Sequence, residues 1–120
     1  MIKRFDRLEV ATTDLTDAAS IYEKNFGFKV TRSGEHASVT IGGAEIRLTS
    51  GASAAEALKA NGEGMFALWL EADDVDEVVA SLKQAGIATG AINKEAGRRV
   101  LTIDPKIANQ VPLFIFDRKS

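Results

Sequence analysis

The feature that most constrains this chain is an internal repeat with a period of 60 residues. Shifting the sequence by that length pairs strand-like and helix-like positions of the first half with similar residues of the second. The pairs are Leu8 with Leu68, Val10 with Leu70, Asp14 with Asp74, Leu15 with Val75, Ala18 with Val78, Ala19 with Val79, and Tyr22 with Leu82. In each copy, alternating apolar residues give way to a spacing of three and four. This change of period predicts a strand followed by an amphipathic helix.

The residues around each helix predict where it begins and ends. Asp14 and Asp74 are short acidic residues suited to cap a helix N-terminus, and Gly27 and Gly86 follow the apolar stripes. After each helix the apolar period returns to two, which indicates further strands. The predicted strands cover residues 28–33, 36–41, 45–49, 89–93, 98–103 and 111–116, and residues 54–60 are predicted to form a short helix. The chain is therefore predicted to contain two βαβββ modules that pair into one body, since neither module covers its own sheet.

Composition excludes several kinds of site. The 120 residues include no cysteine and one histidine, His36, so disulfides, thiol nucleophiles and sites with two imidazoles are excluded. A net charge of −2 argues against nucleic acid as a partner. The first residues are charged, unlike a signal peptide, and the apolar runs have the length of strands rather than of membrane spans. We therefore expect a cytoplasmic protein that does not bind a membrane.

Seven short segments, in this order and spacing, resemble one known superfamily. They are residues 5–11, 14–15, 22–28, 70–76, 82–86, 104–106 and 111–113. Together they resemble the vicinal oxygen chelate superfamily, which includes glyoxalases, bleomycin-resistance proteins and extradiol dioxygenases, and the resemblance covers nearly the whole chain. It implies an α+β fold in which two tandem βαβββ modules form a cupped eight-stranded mixed sheet with helices on the convex side.

The resemblance also implies how the chain is organised. We expect one domain, with module 1 over about residues 1–51, a linker over about 52–64, and module 2 over about 65–120. A homodimer is expected, both from the resemblance and because exposed strand edges need to be covered. The other expected partner is a small molecule bound in the concave cavity.

Members of the superfamily bind a divalent metal with His and Glu near the ends of strands one and four of each module. Carried across, these positions fall on Arg7, Arg47, Ala67 and Phe114. None of the four supplies an electron pair to a metal, and an arginine does not lose its proton. Two unit charges about 4 Å apart repel each other by about 4 kcal/mol at an effective dielectric constant of about 20. We therefore expect no metal and no other cofactor.

Strand alternation predicts which side chains share the concave face. The expected ligand-binding residues are Arg7, Glu9, Glu45, Arg47, Trp69, Phe114 and Phe116. Two hypotheses for the charged residues stay open. In one, the arginines neutralise the glutamates in a cavity that binds nothing. In the other, they bind a carboxylate or phosphate while the aromatic residues hold a planar or apolar group.

The catalytic residues are unknown from sequence; Glu9, Glu45 and His36 are candidates for acid–base chemistry. The function predicted first is that of a metal-free binding module similar to bleomycin-resistance proteins. The alternatives are a lyase, isomerase or dioxygenase, either metal-dependent or using Glu and His, and a regulatory or assembly partner with a collapsed cavity. The basic pairs at residues 98–99 and 118–119 are expected to be solvated.

Overall fold

The structure is a computed structural model that describes residues 1–119. Within them the chain forms eight strands, three α-helices and two short 3-10 helices. The elements are β1 (Ile2–Ala11), α1 (Leu15–Phe26), β2 (Thr31–Ser33), β3 (His36–Ile41), β4 (Ala44–Thr49), a 3-10 helix (Gly51–Ala54), α2 (Ala55–Asn61), β5 (Gly64–Ala72), α3 (Val75–Gln84), β6 (Asn93–Glu95), β7 (Arg98–Thr102), a 3-10 helix (Pro105–Ile107) and β8 (Leu113–Asp117). The strands form an eight-stranded mixed sheet, so the predicted α+β class is confirmed.

Close contacts divide the chain into two compact units. The first unit is Arg7–Phe66, and the second combines Met1–Asp6 with the chain from Ala67 onward. Strands β1 and β5 are each divided between the units, because both unit boundaries fall inside a strand. That the chain is a single domain with the predicted module boundaries stays a prediction, and its last residue lies outside the described residues.

The first unit has the strand order β2-β3-β4-β1, in which β1 and β4 are parallel and the other pairs are antiparallel. Helix α1 begins as predicted, because the Asp14 side chain accepts a hydrogen bond of 3.0 Å from the amide of Asp17. It ends at Gly27, whose φ of 70° is left-handed. The helix packs on one face of the sheet around the buried side chains of Ala19, Ala37 and Leu48.

The second unit repeats this topology with the order β5-β8-β7-β6, in which β5 and β8 are parallel. Asp74 caps α3 as predicted, and its side chain accepts a hydrogen bond of 2.8 Å from the amide of Asp76. The buried core beneath α3 comprises Ala72, Val75, Val78, Leu101, Ile103 and Ile115. Of the apolar strand residues that define the repeat, Val10 in the first unit and Leu70 in the second pack against these helix-covered cores.

Two predicted strands differ from the structure. The strand predicted over 28–33 is confined to Thr31–Ser33, because the amide of Phe28 donates to the carbonyl of Tyr22 at the end of α1. The strand predicted over 89–93 is wrong except at Asn93, because β6 begins at that residue, which pairs with Val100. Ile92, which suggested strand alternation, packs instead against the core beneath α3.

No helix among residues 1–119 is both long enough and apolar enough to cross a lipid bilayer.

Arg99 corrects the expectation that the basic pair 98–99 is solvated. Its guanidinium donates to Asp117 at 3.0 Å, to Asp76 at 2.9 Å and to Asp74 at 3.1 Å. Asp117 is fully buried and also accepts from the amide of Val75 at 2.8 Å. Burial raises the pKa of Asp117, but these hydrogen bonds outweigh burial, and the net pKa lies below its ordinary value. Arg99 therefore joins β7 and β8 to the start of α3.

We expect Arg99→Met to lower the urea midpoint of unfolding, because it leaves the Asp117 carboxylate buried without its main partner. The matched control Arg32→Met, at an exposed arginine 4.0 Å from Glu23, should leave the midpoint unchanged.

The pH dependence follows from the lowered pKa of Asp117. Its stabilisation is complete above the ordinary carboxyl pKa and is lost as the pH falls through the lower folded-state pKa. The wild-type free energy of unfolding should therefore decrease between about pH 5 and about pH 2. In Arg99→Met, burial without the guanidinium should raise the pKa of Asp117, so this residue should add to the free energy of unfolding as the pH falls instead of reducing it. An acid profile unchanged from that of the wild type would contradict the assignment.

Candidate functional site

A polar face covers the side of the first unit's sheet that is opposite its apolar core. We define the polar face as His36, Ser38, Glu45, Arg47, Thr49, Arg7 and Glu9, on strands β3, β4 and β1. In the parallel pair β1–β4, Arg7 lies beside Glu45 and Glu9 beside Arg47. The positive and negative side chains therefore alternate across the two strands.

Two Arg–Glu ion pairs lie on the polar face, in line with the hypothesis that the arginines neutralise the glutamates. Arg7 Nε donates to Glu9 Oε1 at 2.9 Å, and the two side chains are 9% and 12% exposed. Arg47 binds Glu45 with two hydrogen bonds, Nε to Oε2 at 2.8 Å and Nη2 to Oε1 at 3.1 Å. Buried charges need such partners whatever the function of the protein. That any of these four residues binds a ligand stays a prediction.

Glu45 is held as a carboxylate by its surroundings. Burial raises the pKa of Glu45, but hydrogen bonds from Arg47 and Ser38, with the charges of Arg47 and Arg7, outweigh burial and lower it. The Ser38 hydroxyl donates to Glu45 Oε2 at 2.6 Å. A general base works best when its pKa is near the working pH, so these contacts make Glu45 a weak proton acceptor at neutral pH.

His36 lies half-buried at the start of β3, where its Nδ1 is 3.2 Å from Thr49 Oγ1. Among the side-chain contacts of residues 1–119, none joins His36 to Glu9 or Glu45. The three candidates for acid–base chemistry thus lie on one face, but the imidazole does not form a hydrogen-bonded pair with either carboxylate.

The residues present do not fit the divalent metal that the superfamily resemblance implies. The four positions at which the resemblance places metal ligands hold Arg7, Arg47, Ala67 and Phe114, and none of these side chains is a metal ligand. In the described part of the chain, no group of three or more His, Asp or Glu side chains is arranged to hold a metal ion. No chemical step is therefore derived through a metal.

The second unit carries an aromatic face, which we define as Trp69, Phe114 and Phe116 on β5 and β8. Trp69 and Phe114 are neighbours in the parallel ladder and stack with ring centroids 4.6 Å apart and an interplanar angle of 15°. Phe116 packs edge-on against Trp69 at 6.1 Å. The three predicted aromatic residues are therefore in contact with one another. Trp69 and Phe116 are buried, so Phe114 is the ring of this face that is partly open to a planar group.

Arg98 lies over the aromatic face, although it was not among the residues predicted to form the site. Its guanidinium carbon is 5.2 Å from the Trp69 ring centroid and 5.1 Å from that of Phe116. The Arg98 side chain is only 19% exposed, so the expectation that it is solvated was wrong. The alternation of β7 contained the signal, because Val100 pairs with Phe116 and Arg98 lies two residues before Val100 on the same face.

Glu71 is a buried carboxylate beside the aromatic face, with a side chain that is 6% exposed. Arg4 Nε donates to it at 2.8 Å, and Arg118 and Lys3 lie 3.4 Å and 3.9 Å away. One carboxylate is thus shared by three cationic side chains. Arg118 is itself exposed, as expected, and its guanidinium carbon lies 5.5 Å from the Phe116 centroid.

A cavity of about 330 Å³ lies along the hairpin formed by β6 and β7. Its charged lining residues are Lys94, Glu95, Arg98, Arg99 and Lys119. Four of these five side chains are cationic, but Arg99 and Lys119 are already paired with aspartates, which leaves Lys94 and Arg98 as the cations that could attract an anion there.

The sequence matches one known protein family. The model of the glyoxalase/bleomycin resistance protein/dioxygenase superfamily matches residues 4–102. The chain belongs to this superfamily, and the resemblance inferred from its sequence is confirmed. No curated protein matches the sequence significantly.

Solved structures share the fold at low sequence identity. A Streptomyces coelicolor methylmalonyl-CoA epimerase variant in complex with 2-nitronate-propionyl-CoA is 21% identical, with a TM-score of 0.75 over 100% of this chain and 97% of that one. Methylmalonyl-CoA epimerase from Mycobacterium tuberculosis is 18% identical, with a TM-score of 0.76 over 99% and 90%. A hypothetical protein from Bacillus halodurans C-125 is 19% identical, with a TM-score of 0.78 over 98% and 95%. At these identities the likeness shows the fold alone.

The Arg7–Glu9 pair gives a direct test of the polar face. Arg7→Met should reduce the free energy of unfolding by about 3–5 kcal/mol, because it leaves a buried carboxylate without its guanidinium. The double variant Arg7→Met/Glu9→Gln should recover part of that loss, since it removes both charges. Chemical denaturation measures both effects, with Arg32→Met as a surface control. A double variant less stable than the single one would show that Glu9 is stabilised by something other than Arg7.

Proposed function

We propose that this protein binds a small anionic or aromatic molecule without a metal ion. The observation that carries the proposal is that Arg7 and Arg47, which the resemblance places at metal-ligand positions, are each paired with a glutamate. The carboxylates that a metal would need already accept hydrogen bonds from guanidinium groups. A cation entering the polar face would meet two fixed positive charges.

The ligand's planar part is assigned to the aromatic face. Phe114 stacks on the buried Trp69 and is partly exposed, and ligand sites typically combine such apolar rings with a few polar groups. An anion at Arg7 or Arg47, by contrast, would have to compete with the hydrogen-bonded Glu9 or Glu45. The charges of the polar face therefore neutralise one another, and we do not place the anion there.

We further infer a homodimer that works in the cytoplasm. The end strands of the two orders given above, β2 and β6, are exposed at each of their three residues. Exposed strand edges are commonly covered in oligomers. Light scattering on the purified protein tests this inference, and a monomer at all accessible concentrations would contradict it.

Metal analysis of the purified protein tests the central proposal. We expect less than stoichiometric nickel, zinc, iron, manganese and cobalt, and no change in Tm when these ions are added, because the donor set is missing. A tightly held stoichiometric metal would overturn the proposal and favour a metal-dependent lyase, isomerase or dioxygenase.

A second candidate function is an isomerase that moves a proton without a metal. The observation in its favour is that the structural neighbours include methylmalonyl-CoA epimerase bound to methylmalonyl-CoA, while the polar face here retains Glu9, Glu45 and His36. Incubating methylmalonyl-CoA with the protein in D₂O and following deuterium incorporation by mass spectrometry tests it. We expect no incorporation above buffer. Incorporation that Glu9→Gln or Glu45→Gln abolishes would replace the binding proposal by the isomerase.

A further inference from the structure

Two arginines of the second unit share one aromatic ring. The guanidinium carbons of Arg98 and Arg118 lie 5.1 Å and 5.5 Å from the centroid of Phe116. In the antiparallel ladder of β7 and β8, Arg99 pairs with Asp117, so Arg98 and Arg118 occupy the next opposing positions. Like charges opposite each other in such a ladder repel, so this arrangement needs compensation from elsewhere.

Arg98 receives little compensation from the chain. Among residues 1–119, no acceptor lies within hydrogen-bond distance of its guanidinium, and its ion-pair partner Glu95 is 3.7 Å away and more than half exposed. A guanidinium carries five N–H donors. The contacts with Trp69 and Phe116 hold this group in a largely buried position while leaving those donors unused. Arg98 is therefore a fixed cation that is available to a ligand.

Arg118 is only partly neutralised. Its partner Glu71, 3.4 Å away, also accepts a hydrogen bond from Arg4 and lies near Lys3. The cavity along the β6–β7 hairpin is also lined by Lys94, Arg99 and Lys119, but Arg99 and Lys119 are already paired with aspartates. Arg98 and Arg118 are thus less fully neutralised than Arg99, and such cations attract anions.

We propose that Arg98 and Arg118 bind the anionic group, a carboxylate or a phosphate monoester, of a ligand whose planar part packs on Phe114, the partly exposed ring of the aromatic face. This assignment rests on the proposed binding function and deepens it by naming the anion-binding residues. The planar fork of a guanidinium matches the two oxygens of either anion, and a stacked arginine loses little freedom when it binds. The proposed anion site therefore lies beside the aromatic face and does not involve Arg7 or Arg47.

Three probes of similar size test the assignment: phenyl phosphate, benzoate and the neutral benzamide. Trp69 is the only tryptophan, so its emission reports binding at the aromatic face, and isothermal titration calorimetry gives affinities that do not depend on its emission. We expect saturable binding of at least one anion, and tighter binding of that anion than of benzamide. Whether phosphate or carboxylate binds more tightly identifies the anion that the site prefers.

Arg98→Met and Arg118→Met should each weaken binding of the preferred anion by about tenfold or more and leave benzamide unchanged. Arg32→Met, an exposed arginine of the first unit, is the matched control and should bind like the wild type. Circular dichroism and the urea midpoint establish that each variant is folded. Arg98→Lys, which keeps the charge without the fork, provides a second folded variant and should bind with intermediate affinity.

The outcomes separate this assignment from the binding function itself. Equal anion affinity in wild type, Arg98→Met and Arg118→Met would overturn the assignment and leave the binding function intact. Binding of benzamide without either anion would do the same. If no probe binds the folded wild type, the assignment is overturned and the proposed function loses its support as well.

Discussion

The parallel pairing of β1 with β4 fixes the chemistry of the first unit. In this register Arg7 lies beside Glu45 and Glu9 beside Arg47, so four charges are placed on one face in alternating order. Removing charges from water costs several kcal/mol each unless they are paired and hydrogen-bonded. Each arginine therefore binds the glutamate two residues along its own strand, and the hydrogen-bonding capacity of the face is used internally. The pairing that stabilises this face is also the basis for the proposal that it holds no cation.

In the second unit the equivalent strand positions hold aromatic side chains instead of charged ones. Trp69 beside Phe114 occupies the positions in the β5–β8 ladder that correspond to Glu9 beside Arg47 in the β1–β4 ladder. The aromatic pair has no charge to neutralise, so an arginine that packs on it keeps its donors for another partner. Arg98 meets that condition, whereas Arg7 and Arg47 do not. An open anion site is consequently easier to build on the aromatic face than on the polar one.

The sequence predicted the features that depend on local rules. The caps at Asp14 and Asp74 and the face on which each helix packs follow from residue type and spacing, and the structure confirms them. The start of β6 and the roles of Arg98 and Arg99 were not predicted, because they depend on which strand lies opposite and on how far a long side chain reaches. Arg99 binds carboxylates from both β8 and the start of α3, which no sequence spacing specifies.

The two halves of the repeat differ mainly on the sheet face that does not pack against a helix. Leu8 and Val10 correspond to Leu68 and Leu70, whereas Arg7 and Glu9 correspond to Ala67 and Trp69. Val10 and Leu70 each pack against a core covered by a helix, so an apolar side chain is favoured at this position in both copies. The opposite face requires only that every buried charge has a partner. Ion pairs satisfy that requirement, and aromatic stacks carry no charge that needs a partner. The same fold can therefore carry the polar face in one unit and the aromatic face, with Arg98 over it, in the other.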